Sequence, residues 1–172
     1  MTISDYDSWR QVLRQQQLAN ARRWLDRLTD KHQRPSLLQS DYENLLRALE
    51  TTLASPDTFQ QAFDFIEAIF TEALGYADWD RWAAYLEQAL STAATCDHPA
   101  AYARLLEHLT SLTYYRGQHD TAHDLGKQVA EAYQKLGDQA GYGRALVQLA
   151  LLIDLRGETR QAIDLITEAQ HI

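Results

Sequence analysis

The chain has 172 residues, 45% of them hydrophobic and 23% charged, with seven Gly, three Pro and a formal charge of −8. That composition excludes a disordered tail, a collagen-like repeat and a low-complexity linker, and a chain of this length buries roughly 70% of its unfolded surface without metal or disulfide. The single cysteine, Cys96, has no internal disulfide partner, which suits a reducing compartment, and the longest apolar run, Leu149–Ile153, is far below the ~20 residues of a bilayer span.

The opening Met1-Thr-Ile-Ser-Asp-Tyr-Asp7 lacks the basic-then-apolar order of a secretion signal, so a soluble, cytoplasmic protein is expected. Apolar residues recur at spacings of three and four, and no alternating strand pattern appears. The first helix carries Tyr6, Trp9, Val12, Leu13, Ala21, Trp24, Leu25 and Leu28 on one side. Ser40-Asp-Tyr-Glu43 has capping-box spacing and opens a helix with Leu45, Leu46, Leu49 and Leu53 inward. Ser55-Pro56 sets an N-cap followed by proline at the first helical position, and Phe59, Phe63, Ile66, Ile69, Phe70 and Leu74 follow. A further helix starts near Asp78 with Trp82, Leu86, Ala89 and Leu90 inward, and His98-Pro99 starts another that ends at Gly117. Gly137 and Gly157 end two more segments as left-handed C-caps. About eight helices with short connections pack as antiparallel neighbours.

Charge is uneven along the chain. Residues 1–34 hold seven Lys/Arg against four Asp, whereas the remainder holds nine against twenty. An acidic body repels nucleic acid and anionic membrane, so neither is an expected partner. The basic opening segment is suited to an acidic surface, its own chain's or another's.

The chain also resembles itself. Tyr102-Ala-Arg-Leu-Leu-Glu-His-Leu aligns with Tyr142-Gly-Arg-Ala-Leu-Val-Gln-Leu forty positions later, Arg116-Gly117 with Arg156-Gly157, and Ala122 with Ala162. Forty positions earlier, Ala77 stands where the glycines stand and Trp82 where the alanines stand. Cys96-Asp97-His98-Pro99-Ala100 matches Leu136-Gly137-Asp138-Gln139-Ala140. Two helices per fixed period indicate a helical-hairpin solenoid, because one hairpin cannot bury its apolar face alone.

These residues resemble the tetratricopeptide repeat family, in its extended variant of large bacterial signalling regulators. The family's small and apolar positions fall on Leu146, Leu149, Ala150, Ile153, Ala162, Ile166 and Ala169 around Gly157. They fall on Leu106, Leu109, Thr110, Thr113, Ala122, Gly126 and Val129 or Ala130 around Gly117, and on Ile66, Ile69, Phe70, Ala73, Trp82, Leu86 and Ala89 around Ala77. The resemblance implies an all-α, right-handed helical-hairpin solenoid. Residues 1–54 form a divergent N-terminal helical hairpin or cap, and 55–172 form three repeats at about 57–96, 97–136 and 137–172. It also implies a non-enzymatic scaffold or sensor region, without cofactor, that takes a peptide or helix of a protein partner in a concave groove. By position the groove shows Asp64, Glu67 and Thr71, then Arg104, Glu107, Ser111, Tyr114 and Tyr115, then Arg144, Val147, Leu151 and Asp154. The Lys/Asn set of chaperone-tail binders is missing, and Arg104 and Arg144, one repeat apart, suit a peptide with an acidic group.

The alternatives rest on other residues. The last repeat ends at His171-Ile172, which makes Leu149, Leu152, Leu165 and Ile166 a candidate homodimer face. His119 and His123 lie four apart on one helix face and could approach a metal in a helical hydrolase, but a zinc site needs a third ligand and usually a general base. They read as a solvated helix start, with Asp120 and Asp124 favouring the helix dipole. Cys96-Asp97-His98 falls at an inter-repeat turn, where Asp97 or His98 caps the next helix; no catalytic or metal residue is assigned. No phosphate loop of either glycine-rich type occurs.

Overall fold

Apolar side chains three and four apart can be buried together only along one face of a helix. The computed structural model is accordingly 88% helix, with no strand among the described residues. These are residues 3–30, 32, 34–76 and 78–172, with side chains from Ser8 onward. Tyr6's side chain, Lys31 and Ala77 lie outside them. The chain divides into two compact units, 1–77 and 78–172.

The first unit holds α1 (Ile3–Thr29), α2 (Arg34–Ser40), α3 (Tyr42–Leu53) and α4 (Phe59–Ala73). Helices α1, α3 and α4 pack on one another, and α2 packs on α1 and α3. Leu45, Leu46, Leu49, Phe65, Ile66 and Ile69 are fully buried at its centre. The expected start of α3 shifts by one residue. Ser40 ends α2, its hydroxyl 2.9 Å from the Ser36 carbonyl and 2.7 Å from the Asp41 carboxylate, and Asp41 takes the N-cap position without a side-chain cap bond. The Ser55-Pro56 start proceeds through a 3₁₀ turn, Pro56–Thr58, before α4 begins. The buried Thr58 hydroxyl lies 2.6 Å from the Thr52 carbonyl and 2.9 Å from that of Ser55. Helix α1 departs most from expectation. Ala21 and Leu28 are buried, but Trp9, Val12 and Leu13 are 61%, 41% and 56% exposed. Every described side chain from Ser8 to Gln17 faces solvent.

The second unit is a succession of helices, each packed on the next: α5 (Trp79–Thr95), α6 (Pro99–Tyr115), α7 (His119–Leu136), α8 (Gln139–Asp154) and α9 (Thr159–Gln170). The described residues thus form nine α-helices rather than about eight; the short α2, opened by Pro35, is the addition. Helices α4 and α5, the two halves of the repeat expected at 57–96, fall in different units, whereas 97–136 and 137–172 lie whole in the second.

The joints of this unit repeat every twenty residues. Asp97, Gly117, Gly137 and Gly157 all adopt left-handed backbone, at φ 56°, 74°, 69° and 82°. After each, the next N–H reaches back to the preceding helix: His98 to Ala93, Gln118 to Thr113, Asp138 to Tyr133 and Glu158 to Ile153, at 2.9–3.3 Å. This is the Schellman closure, which satisfies helix-end carbonyls and reverses the chain. Asp97 therefore stands in the glycine's place, and His98 holds the N-cap position without a side-chain cap bond. Asp97→Gly is expected to stabilise the protein by about 1 kcal/mol, and Gly137→Ala to destabilise it by about 1 kcal/mol. A Cβ at Gly137 meets nothing within 4 Å, so its cost is backbone conformation alone. Urea midpoints should move in opposite directions with unchanged slopes.

The forty-residue period extends to side-chain pairs. Arg116, just past α6, lies 2.6 Å from Asp80 in the first turn of α5, and Arg156, just past α8, lies 2.9 Å from Asp120 in the first turn of α7. Exposed pairs of this kind contribute about 0–1 kcal/mol; their value is as a marker of register. Trp82 is buried, edge-on to Tyr85 at 5.7 Å between ring centres. The buried Thr110 and Thr113 hydroxyls donate to the Leu106 and Leu109 carbonyls of their own helix, at 2.8 and 2.7 Å.

Candidate functional site

In the second unit, α6, α7 and α8 bring three polar side chains to one carboxylate. Glu107, on α6 and largely buried, accepts a 2.7 Å hydrogen bond from the Tyr133 hydroxyl of α7. Arg104 Nη1 lies 3.0 Å from the same carboxylate, and Arg144 Nε of α8 lies 3.8 Å away. The Arg144 guanidinium also sits 5.6 Å from the centre of the Tyr133 ring, within cation–π range. One helical turn further on, Gln148 Nε2 of α8 donates to Ser111 Oγ of α6 at 2.9 Å. Arg104, Glu107, Ser111 and Arg144 are therefore together, and the two arginines face an internal acid.

Burial, together with the Glu107 hydrogen bond and charge, pushes the Tyr133 hydroxyl up to about 12. Because the folded value lies above the ordinary value of 10.0, the contribution of Tyr133 to stability is fully present below pH 10 and is lost as pH rises from about 10 toward about 12. A spectrophotometric titration of tyrosine should show a late-ionising phenol near pH 12 that Tyr133→Phe removes. An unchanged late phase in that variant would contradict the assignment.

Tyr114 and Tyr115 make an edge-on pair at 5.5 Å at the end of α6; Tyr114 also lies 5.4 Å from the His119 ring, and Tyr115 is exposed. In the first unit, Asp64 accepts from Gln60 Nε2 at 2.8 Å and lines, with Glu67, a cavity of about 690 Å³ whose other wall includes Arg22, Asp26 and Leu28 of α1. Thr71 is exposed and outside that cavity.

An exposed apolar groove of the second unit runs along α8 and α9. Val147, Leu151, Ile163 and Ile166 are each 42–57% exposed and line a groove of about 650 Å³, with Arg144 and Asp154 among its polar residues. Beneath it, Leu149, Ala150, Ile153 and Ala162 form a small core against which Leu165 packs. Most of the residues expected on a dimer face are covered. Leu149 and Leu152 are only 6% and 2% exposed, because Gly126 of α7 admits both leucines: a Cβ there would lie 3.3 and 3.4 Å from their Cδ1 atoms. Of the four residues expected on that face, only Ile166 is exposed, and Leu165 is half-buried.

Sequence reading missed Tyr133, Gln148 and Ile163. Ile163 carried a signal, since it stands forty positions after the polar His123. Tyr133 and Gln148 carried none, because their partners lie 26 and 37 residues away and meet only through helix docking.

The remaining sequence motifs are dispersed. His123 Nδ1 lies 3.4 Å from Asp124 of its own helix, and Cys96 is exposed. Among the described residues no group of three or more His, Cys, Asp or Glu is placed to hold a metal, and no helix is long and apolar enough to cross a membrane. No protein-family model matches the chain, and no curated protein is similar enough in sequence to match it.

Proposed function

We propose that the protein is a non-enzymatic interaction module, a tetratricopeptide-like hairpin array whose α8–α9 groove takes an amphipathic helix or extended peptide of a protein partner. The observation that carries this reading is the exposed apolar quartet Val147, Leu151, Ile163 and Ile166 in one groove beside charged Arg144 and Asp154. Exposed apolar side chains gathered in a groove cost solvation free energy that a docked apolar face recovers. Helix-in-groove recognition reads such a groove through anchors at i, i+3, i+4 and i+7. The recurring αL joints and the Arg116–Asp80 and Arg156–Asp120 pairs support the forty-residue hairpin period. Since Glu107 already engages Arg104 and Arg144, affinity comes chiefly from the apolar quartet.

A peptide-display selection against the whole chain tests the reading. Enriched sequences should carry apolar residues at helical spacing, and Leu151→Glu should weaken their binding at least 100-fold while leaving the circular dichroism spectrum unchanged. A selection that enriches nothing, or peptides that bind wild type and Leu151→Glu alike, would overturn it.

A further inference from the structure

A cavity of about 690 Å³ opens between α1 and α4 in the first unit, beside the start of α2. Leu25, Leu28 and Ala68 supply its apolar lining, and its walls carry charges of both signs. On α1, Arg22 and Asp26 stand four residues apart, a spacing that puts Cβ atoms about 5–6 Å from each other on one helix face. Both are exposed, and neither has an ion-pair partner among the described residues.

The facing charges are only partly engaged. Asp64 of α4 accepts from Gln60 through Oδ1 at 2.8 Å, which leaves Oδ2 uncommitted. Arg34, the first residue of α2, turns Nη2 to Glu72 at 3.0–3.1 Å, while its buried Nε has no acceptor. A ligand with one charge is therefore opposed in this cavity: a lone anion faces Asp26 and Asp64, and a lone cation faces Arg22 and Arg34. A ligand that carries both signs on neighbouring groups, next to an apolar body, is matched at every wall. The volume lies in the range of small-molecule sites.

We propose that this cavity binds a small zwitterion with an apolar body, an α-amino acid of the leucine or phenylalanine type. Its carboxylate lies against Arg22, its ammonium against Asp26 and Asp64, and its side chain on Leu25, Leu28 and Ala68. The site belongs to the first unit alone and does not rest on the α8–α9 groove. A peptide end carries only one of the two charges on its terminal residue, so it is not the ligand this cavity matches.

Amide NMR of the full chain, titrated with L-phenylalanine and L-leucine to millimolar concentration, tests it. Saturable shift changes should cluster on residues 22–29 and 64–68. N-acetyl-phenylalanine, which lacks the ammonium, and phenylalanine amide, which lacks the carboxylate, should each bind at least about 10-fold more weakly, the loss of one charged hydrogen bond. Arg22→Gln and Asp26→Asn, both at exposed positions, should weaken phenylalanine by a similar factor without loss of helicity. Arg22→Gln should no longer distinguish phenylalanine from its amide, and Asp26→Asn should distinguish it less from the N-acetyl form. Leu151→Glu, in the second unit, should bind phenylalanine as wild type does. The proposal is overturned if neither amino acid gives saturable shifts, or if the shifts fall outside the cavity. Wild-type binding that survives acetylation or amidation also overturns it, because the site then reads a single charge or a peptide end.

Discussion

Trp82→Ala is expected to destabilise the second unit by about 3–5 kcal/mol, the usual cost of emptying a buried aromatic site. Trp82 is 1% exposed on α5, packed edge-on against Tyr85, and stands where the later repeats hold Ala122 and Ala162. At those positions the helices close over a methyl group; at Trp82 they enclose an indole, and no small shift of a rigid helix refills that volume. Urea unfolding followed by circular dichroism should show the loss, and a cost below about 1 kcal/mol would mean that the indole is not enclosed.

Gly141→Ala is expected to cost about 1–3 kcal/mol by overpacking, whereas the same change at an unobstructed helix glycine stabilises by about 0.5–1 kcal/mol. A methyl group at Gly141 would sit 2.5 Å from Tyr133 Cε1, closer still to Cδ1, and 2.7 Å from Asp138 Oδ2. Neither neighbour yields easily. The Tyr133 hydroxyl is bonded to Glu107, and Asp138, the N-cap of α8, accepts from the Gly141 N–H through its other oxygen at 2.9 Å. Displacing the ring breaks the Glu107 bond, so Gly141→Ala and Tyr133→Phe should not add. A double-mutant cycle should return a coupling energy of about 0.5–3 kcal/mol, and additive losses would contradict the packing described.

The joints of the second unit were legible in the sequence because glycine at a helix end has a local cause: Gly117, Gly137 and Gly157 take the left-handed backbone their spacing predicts. Asp97 was legible only by alignment, since its residue type suggests a cap and its register places it at the glycine. The inward faces of α6 and α8 were equally readable from helical spacing. What covers an apolar stripe was not. Trp9, Val12 and Leu13 continue the pattern that Ala21 and Leu28 bury, yet all three are exposed, and periodicity holds no record of where a neighbour ends. For the same reason helical spacing alone places Leu149 and Leu152 on a bare face. Their burial depends on Gly126 letting α7 approach, a contact made across more than twenty residues of chain. The Glu107 cluster was half legible: Arg104, Glu107 and Arg144 fell on one face by register, but that the acid faces both arginines and Tyr133 follows from the docking of α6, α7 and α8.

Amide-resolved NMR of the chain titrated with a display-selected peptide tests the groove most directly. Chemical-shift changes should concentrate between Arg144 and Ile166, with contacts from the peptide's apolar anchors to the Leu151 and Ile163 methyl groups, and should vanish in Leu151→Glu. Changes centred on α1 to α4, or on the outer surface of α6 and α7 around Tyr102 and Lys135, would place recognition elsewhere and contradict the groove assignment.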